Sequence, residues 1–343
     1  MATDDESFMR AALREAQSVG GQTSPNPAVG AVLVIDQKIV ARGHHKGAGR
    51  PHAEVECLRS FKKAIPKNAT LYVTLEPCST TGRTGPCTDA ITEAGVRHLV
   101  VGATDPNPNH AGRGIELLRQ AGLDVRAGVL ANDCSVLNEA FNKWIQTGRP
   151  FVIAKCGMSL DGRLSAPPGE PRWITGVASR RHARQLRAEV DAILIGAETL
   201  RTDNPRLTVR LPGAKQPWRI VLSRSGKLPR NARIFADRFA AQTIVYGEQS
   251  LDEVLRELGA REINSVLLEG GGEILGQALD QRLVDKVQLY LGPVFTGGPV
   301  VAFPGMGAGS TEQAVRLERI RYEQIGSDVC VIGYPKQGTV SSE

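Results

Sequence analysis

Pro51-His52-Ala53-Glu54, read with Leu75-Glu76-Pro77-Cys78 and Cys87, decides how the first half of this chain folds and what it can hold. One imidazole and two thiolates are three of the four groups that tetrahedral zinc takes, and a site with three protein ligands keeps its fourth position for water. Zinc lowers the pKa of such a water towards neutrality, so a nucleophile is available at ordinary pH. Glu54 stands two residues beyond His52, close enough to move a proton without being a ligand. A closed structural zinc would need a fourth ligand, for which Cys57 and His44 are the candidates. Cysteine alone is often a small buried hydrophobe. The joint pattern of His-x-Glu, Glu-Pro-Cys after an apolar run, and a cysteine opening a helix is far rarer, and it favours the open site.

His-x-Glu followed by Pro-Cys is also the pattern of the zinc deaminases that act on nucleobases, where the second cysteine follows after two residues. Here eight residues, Ser79 to Pro86, separate the thiols. The longer loop narrows the subclass.

With 343 residues the chain suits two domains. Its 41% hydrophobic and 23% charged residues are near the globular norm, enough to bury a full core. The net charge of +6 comes from scattered residues, so no nucleic-acid tract is indicated, and a small phosphorylated substrate accounts for the excess. Six cysteines at irregular spacing do not make a disulfide scaffold in a chain this long; reduced thiols are expected. The acidic opening Met1-Ala2-Thr3-Asp4-Asp5-Glu6-Ser7 has no apolar leader core, and no stretch has membrane-spanning length. A cytoplasmic protein with no membrane or nucleic-acid partner is the expectation.

In chain order, Thr3 or Asp4 caps a helix carrying Phe8, Ala12, Leu13 and Ala16 and ending at Gly20-Gly21. The polar turn Ser24-Pro25-Asn26-Pro27 feeds a strand from Gly30 to Ile35, and a hairpin leads into Ile39-Val40-Ala41. Asn26 is either a turn residue or an amide that reads a heterocycle edge. The loop Gly43 to Gly49 is glycine-rich and basic; it either closes over a phosphate or turns a corner, and its place before the zinc helix favours the first. A helix over 52–63, a buried strand over 70–75 and a helix opening at Cys87 follow, and the dipole of that last helix favours a thiolate. Strand 98–102, helix 114–121, strand 123–127 and helix 131–145 complete an alternation that predicts a mostly parallel sheet with helices on both faces.

Gln146 to Pro150 reads as the boundary, giving domains 1–147 and 148–343. Beyond it a second alternation runs through strands at 151–155, 192–196, 219–223, 243–246, 265–268, 287–291 and 328–334, with a helix over 179–189. No sequence repeat links the halves. In Leu268-Glu269-Gly270-Gly271-Gly272-Glu273 a strand meets glycines and a helix start, which lets backbone N–H groups approach a phosphate. With Trp173 as a stacking surface, this suggests a dinucleotide across the strand ends. Arg187, Arg206 and Arg210 are candidates for a second phosphate, although a solvated surface charge is the commoner role of any one arginine.

These residues also carry a family resemblance. Ser24 to Gly30, Gly43-His44-His45, Pro51 to Glu54, Leu75 to Cys78 and Gly82 to Asp89 resemble the deaminase half of the bifunctional riboflavin-biosynthesis deaminase-reductases. Lys155, Ser159 to Gly162, Trp173-Ile174-Thr175, Thr202 to Arg210 and Glu269 to Gly272 resemble the reductase half. The match runs through nearly the whole chain in order.

The resemblance implies an α/β fold in which a cytidine-deaminase-like three-layer domain is fused to a dihydrofolate-reductase-like domain. It implies one Zn²⁺ per chain, held by His52, Cys78 and Cys87, with Glu54 as general acid and base, and deamination of a small phosphorylated pyrimidine followed by NADPH-dependent reduction of its ribosyl group. By the same resemblance Asn26, His45 and Arg83 hold the deaminase substrate. Lys155, Pro171, Arg187, Leu207, Arg210 and Glu269 line the reductase substrate pocket. Gly157, Trp173, Thr199, Asp203, Ser223, Gly271 and Gly272 contact NADPH. A homo-oligomer, a dimer first, is expected. Thr80-Thr81 stand where the family usually has two histidines, so the deaminase substrate is expected to bind differently or less tightly. The rival readings are a zinc deaminase acting on a free nucleoside or on nucleic acid, which 5% aromatic residues and dispersed charge disfavour, and a binding protein with a structural zinc.

Overall fold

The computed structural model describes residues 4–81, 85–108, 110–164 and 173–336. The chain divides into two compact units, Met1–Arg149 and Pro150–Glu343.

The first unit runs α1 (Asp4–Gln17), β1 (Gly30–Ile35), β2 (Lys38–His44), α2 (Ala53–Ser60), β3 (Thr70–Leu75), α3 (Cys87–Glu93), β4 (His98–Ala103), α4 (Arg113–Gln120), β5 (Asp124–Ala127), α5 (Ala131–Leu137) and α6 (Glu139–Thr147). Its sheet has the order β2-β1-β3-β4-β5. The expectation of a mostly parallel sheet needs correction here. β1 is antiparallel to both neighbours, and only β3-β4 and β4-β5 are parallel. The short Asp36-Gln37 turn, with both residues at positive φ, forces the hairpin that makes β1 and β2 antiparallel.

Close approach of helices to this sheet sets the site. A Cβ on Gly30 would lie 2.0 Å from the Ala12 carbonyl oxygen of α1, and one on Gly43 would lie 2.3 Å from the Cys57 nitrogen of α2. Only glycine lets the two backbones pack this tightly. Met9, Ala12, Leu13 and Ala16 bury one face of α1, while Asp4, Asp5 and Glu6 occupy its first turn, where the helix dipole favours negative charge. Helix α2 ends at Ser60, short of the expected 63, and the expected helix over 131–145 breaks at Asn138 into α5 and α6.

The second unit contains β6 (Phe151–Ser159), α7 (Val177–Glu189), β7 (Ala192–Gly196), α8 (Ala197–Asp203), β8 (Trp218–Leu222), α9 (Arg233–Ala236), β9 (Thr243–Tyr246), α10 (Leu251–Ala260), β10 (Ser265–Glu269), α11 (Gly272–Asp280), β11 (Lys286–Gly292), β12 (Leu317–Ile325) and β13 (Asp328–Pro335). The sheet order is β12-β13-β11-β6-β10-β7-β8-β9. From β11 to β9 every pairing is parallel, and β13 and β12 add an antiparallel edge. Parallel central strands are buried on both faces and read as apolar runs, as Ala192-Ile193-Leu194-Ile195 and Val266-Leu267-Leu268 do. Both units are α/β. No helix of the described residues is long and apolar enough to cross a membrane.

Candidate metal centre and reductase cleft

In the first unit, β3 delivers Glu76-Pro77-Cys78, α3 opens at Cys87, and His52 is the residue before α2. Nδ1 of His52 lies 3.4 Å from Cys78 Sγ and 3.2 Å from Cys87 Sγ. All three ligand atoms fall within 4.8 Å of one another, a spacing that suits ligands about 2.0–2.3 Å from one tetrahedral ion. No other His, Cys, Asp or Glu joins this cluster among the described residues. Cys57 is buried, which pushes its thiol up to about 12, and His44 lies beside Glu15, so neither candidate fourth ligand is there. The donor set fits zinc with an open position.

The Cys87 thiol donates to Cys78, and with His52 and the Cys87 backbone N–H it lowers the Cys78 thiol against burial, while the same bond and burial raise the Cys87 thiol. Beside them Glu54 is 3% exposed, and its Oε2 is buried with no hydrogen-bond partner. Burial pushes its carboxyl up to about 7. A carboxyl poised near neutrality can both take and return a proton.

Asn26 Nδ2 lies 3.0 Å from His45 Nε2, and His45 Nδ1 lies 3.1 Å from the Pro51 carbonyl oxygen. A carbonyl only accepts, so Nδ1 carries the proton and Nε2 accepts from the Asn26 amide. His45 is buried, which lowers its pKa and keeps it neutral. Arg83 lies outside the described residues.

In the sequence Glu76 stands out only as part of the Glu-Pro-Cys motif. Its buried carboxylate accepts from the backbone N–H groups of Asp105 (3.0 Å), Gly112 (2.9 Å), Gly114 (2.8 Å) and Ile115 (3.3 Å). It thus ties the loop after β4 and the start of α4 beside Cys78. The available signal was a carboxylate at a strand end, directly before Pro-Cys.

In the second unit a cleft of about 2130 Å³ is lined by residues at the carboxyl ends of β6, β10, β7 and β8. In parallel α/β sheets this is where ligands bind. The cleft gathers Lys155, Gly157, Trp173, Arg187, Thr199, Asp203, Leu207, Arg210, Ser223, Glu269, Gly271 and Gly272, all expected at the reductase site, while Pro171 lies outside the described residues.

Register explains the centre of this group. Glu269 and Lys155 are direct partners on β10 and β6, with Nζ 3.5 Å from Oε1. Arg187 of α7 meets the same carboxylate with two bonds, 2.8 and 2.9 Å. Burial opposes ionisation of Glu269, but the Arg187 and Lys155 charges outweigh it and hold the carboxyl at about 2. Gly270 and Gly271 have φ of 87° and 75°, which lets the chain turn from β10 into α11. At Gly272 a Cβ would lie 2.1 Å from the Val301 oxygen, so packing against that segment itself demands glycine. The Arg180 guanidinium lies over the Trp173 ring at 4.8 Å. Ser223 Oγ is buried without a partner.

The segment 204–210 carries the phosphate candidates Arg206 and Arg210, and contacts distant in sequence hold it. Asn204 and Leu207 have positive φ, 42° and 53°. Arg219, 1% exposed, donates to the Arg206 carbonyl (3.2 Å) and forks onto Asp237. The Gln216 amide pairs with both backbone groups of Val209 at 2.9 and 3.1 Å.

Each unit matches a known protein family. Residues 2–103 match the cytidine and deoxycytidylate deaminase zinc-binding region, and residues 150–331 match the RibD C-terminal domain. The riboflavin biosynthesis protein RibD of Escherichia coli (strain K12) is 38% identical, the match covering 95% of this chain and 98% of that protein. Its counterpart from Actinobacillus pleuropneumoniae is 37% identical, with 95% and 94% covered. Among solved structures, Acinetobacter baumannii RibD superposes with a TM-score of 0.88 at 34% identity over 97% of this chain and 99% of that one. The diaminohydroxyphosphoribosylaminopyrimidine deaminase/5-amino-6-(5-phosphoribosylamino)uracil reductase of Thermotoga maritima gives 0.87 at 33% identity, with 97% and 99% covered. A zinc-binding deaminase region with its His-Cys-Cys triad and a reductase domain thus share one polypeptide, and the chain belongs to the RibD family of bifunctional deaminase-reductases of riboflavin biosynthesis.

Proposed function

We propose that the first unit hydrolyses the amino group of 2,5-diamino-6-(5-phosphoribosylamino)pyrimidin-4-one. The second then reduces the ribosyl group of 5-amino-6-(5-phosphoribosylamino)uracil to ribityl with NADPH. The observation that carries the first step is the buried Glu54 carboxylate, with Oε2 left without a partner, beside three converging ligand atoms. His52, Cys78 and Cys87 would hold zinc, which supplies the Lewis acidity that makes a bound water acidic. Glu54 takes the proton from the attacking water and passes it to the departing nitrogen, so that ammonia leaves. Asn26 presents its amide to the pyrimidine edge, and His45 holds that amide in one orientation. Arg83 is assigned to the same substrate.

In the second step NADPH supplies the hydride. Its contacts are assigned to Gly157, Trp173, Thr199, Asp203, Ser223, Gly271 and Gly272, a reading supported by their common place on one cleft. The substrate is assigned to Lys155, Pro171, Arg187, Leu207, Arg210 and Glu269. Glu269 fixes Lys155 and Arg187 in place, and Lys155 stabilises the alkoxide that develops as the sugar opens. Residues 1–147 and 148–343 are proposed as the two folding units, in keeping with the division of contacts after Arg149. Homodimerisation is proposed as well, supported by the exposed Tyr322 and Ile320 on edge strand β12. Ammonia release from the diaminopyrimidine phosphate, set against release from cytidine and RNA, tests the first step. NADPH oxidation on the deaminated product tests the second.

A further inference from the structure

Asn138 stands at the break between α5 and α6, is 5% exposed, and is 110 residues from the segment it touches. Its Oδ1 accepts from the Ala28 N–H at 2.8 Å, and its Nδ2 donates to the Ala28 carbonyl at 2.9 Å. Ala28 precedes β1, so one side-chain amide here does the work of a neighbouring strand. The next two residues are tied as well: the Val29 carbonyl accepts from His45 N–H at 3.0 Å, and Gly30 N–H donates to Thr74 Oγ1 at 3.1 Å. Pro27 joins Ala28 to Asn26, and its ring fixes φ, so little slack separates the clamp from the Asn26 amide. That amide must meet His45 Nε2 with its NH₂ end, leaving its carbonyl end to accept from a ring N–H or amino group.

We propose that Asn138 is a positioning residue of the deaminase: by gripping both backbone groups of Ala28 it holds the 26–28 turn at the height and angle at which Asn26 meets the pyrimidine. This rests on the reading of Asn26 as a substrate contact. The junction of α5 and α6 thereby becomes part of the deaminase site, although it lies beyond the residues 2–103 that match the zinc-binding region. Asn138 acts on substrate affinity and orientation and leaves the metal ligands in place, which stand just before α2, just after β3 and at the start of α3.

The test is a double-mutant cycle on the full chain with Asn138→Ala, Asn26→Ala and the pair, reading zinc content, deaminase KM and kcat, and NADPH-dependent reductase rate. Asn138→Ala is expected to keep its zinc and its reductase rate while deaminase KM rises about tenfold, the scale set by losing buried hydrogen bonds. Asn26→Ala moves KM in the same direction, and the pair is no worse than Asn26→Ala alone, since one residue acts through the other. A wild-type KM in Asn138→Ala, or a loss that adds in full to that of Asn26→Ala, overturns the proposal. An unchanged KM in Asn26→Ala instead removes the reading on which it stands. Should Asn138→Ala lose zinc, Asn138→Asp, which keeps the acceptor for Ala28 N–H, goes through the same cycle with the same expectations.

Discussion

Cys87 Sγ and His52 Nδ1 are separated by 35 residues of sequence and by 3.2 Å in space. The first turn of α3 and the residue before α2 meet at one point, and each brings the ligand type that zinc accepts. Replacing Cys87 by serine leaves two ligands and is expected to empty the site and abolish deamination. NADPH oxidation by the reductase half is expected to persist. Metal analysis with the two assays run in parallel checks this.

The Glu269 carboxyl is held at about 2, below its ordinary 4.5, by Arg187 and Lys155 working against burial. A folded-state pKa below the unfolded one gives stability that is fully present above about 4.5 and lost as pH falls towards about 2. The amount is on the order of 3 kcal/mol. Glu269→Gln leaves two partly buried cations without their partner and is expected to lower the reductase melting temperature at neutral pH. The gap to the wild type is expected to close as the pH is lowered through that window. A gap that stays constant with pH would show that the carboxylate charge is not what holds the cluster.

Gln216 holds Val209 by both backbone groups, and Val209 belongs to the segment that brings Leu207 and Arg210 to the cleft. Gln216 is only half-buried, so its loss should be tolerated by the fold. Gln216→Ala is expected to raise reductase KM for the ribosylamino substrate about threefold to tenfold, as expected for lost hydrogen bonds at a positioning contact. Deamination is expected to be unchanged. Steady-state kinetics of both half-reactions give the comparison.

The metal centre was legible because zinc chemistry restricts both residue type and spacing: His52, Cys78, Cys87 and Glu54 each had one chemical reason to be where they are. Positioning groups left no such trace. Asn138 reads as one more polar residue in an amphipathic stretch, and its meaning depends on a partner 110 residues away. Arg219 is a lone charge in the apolar strand Trp218-Arg219-Ile220-Val221-Leu222, and only the fold brings Asp237 to it. Strand β12 was missed because it is an edge strand, largely exposed, with a register shift between Glu318 and Arg321 that destroys any period of two. Helix α10 does carry a local signal, the capping box of Ser250 and Glu253. The mixed first sheet followed from the tightness of one turn, whose effect on strand direction outweighed the alternation of elements.

Glu54 offers the most direct test, because Gln keeps its shape and removes only the capacity to carry a proton. The measurement is ammonia release from the diaminopyrimidine phosphate by Glu54→Gln, with zinc content and reductase rate taken on the same sample. The expected result is a full zinc site, an unchanged reductase and deamination slowed by about 10²–10⁴, the range general acid-base catalysis supplies. Deamination at the wild-type rate by a zinc-loaded Glu54→Gln protein would contradict it.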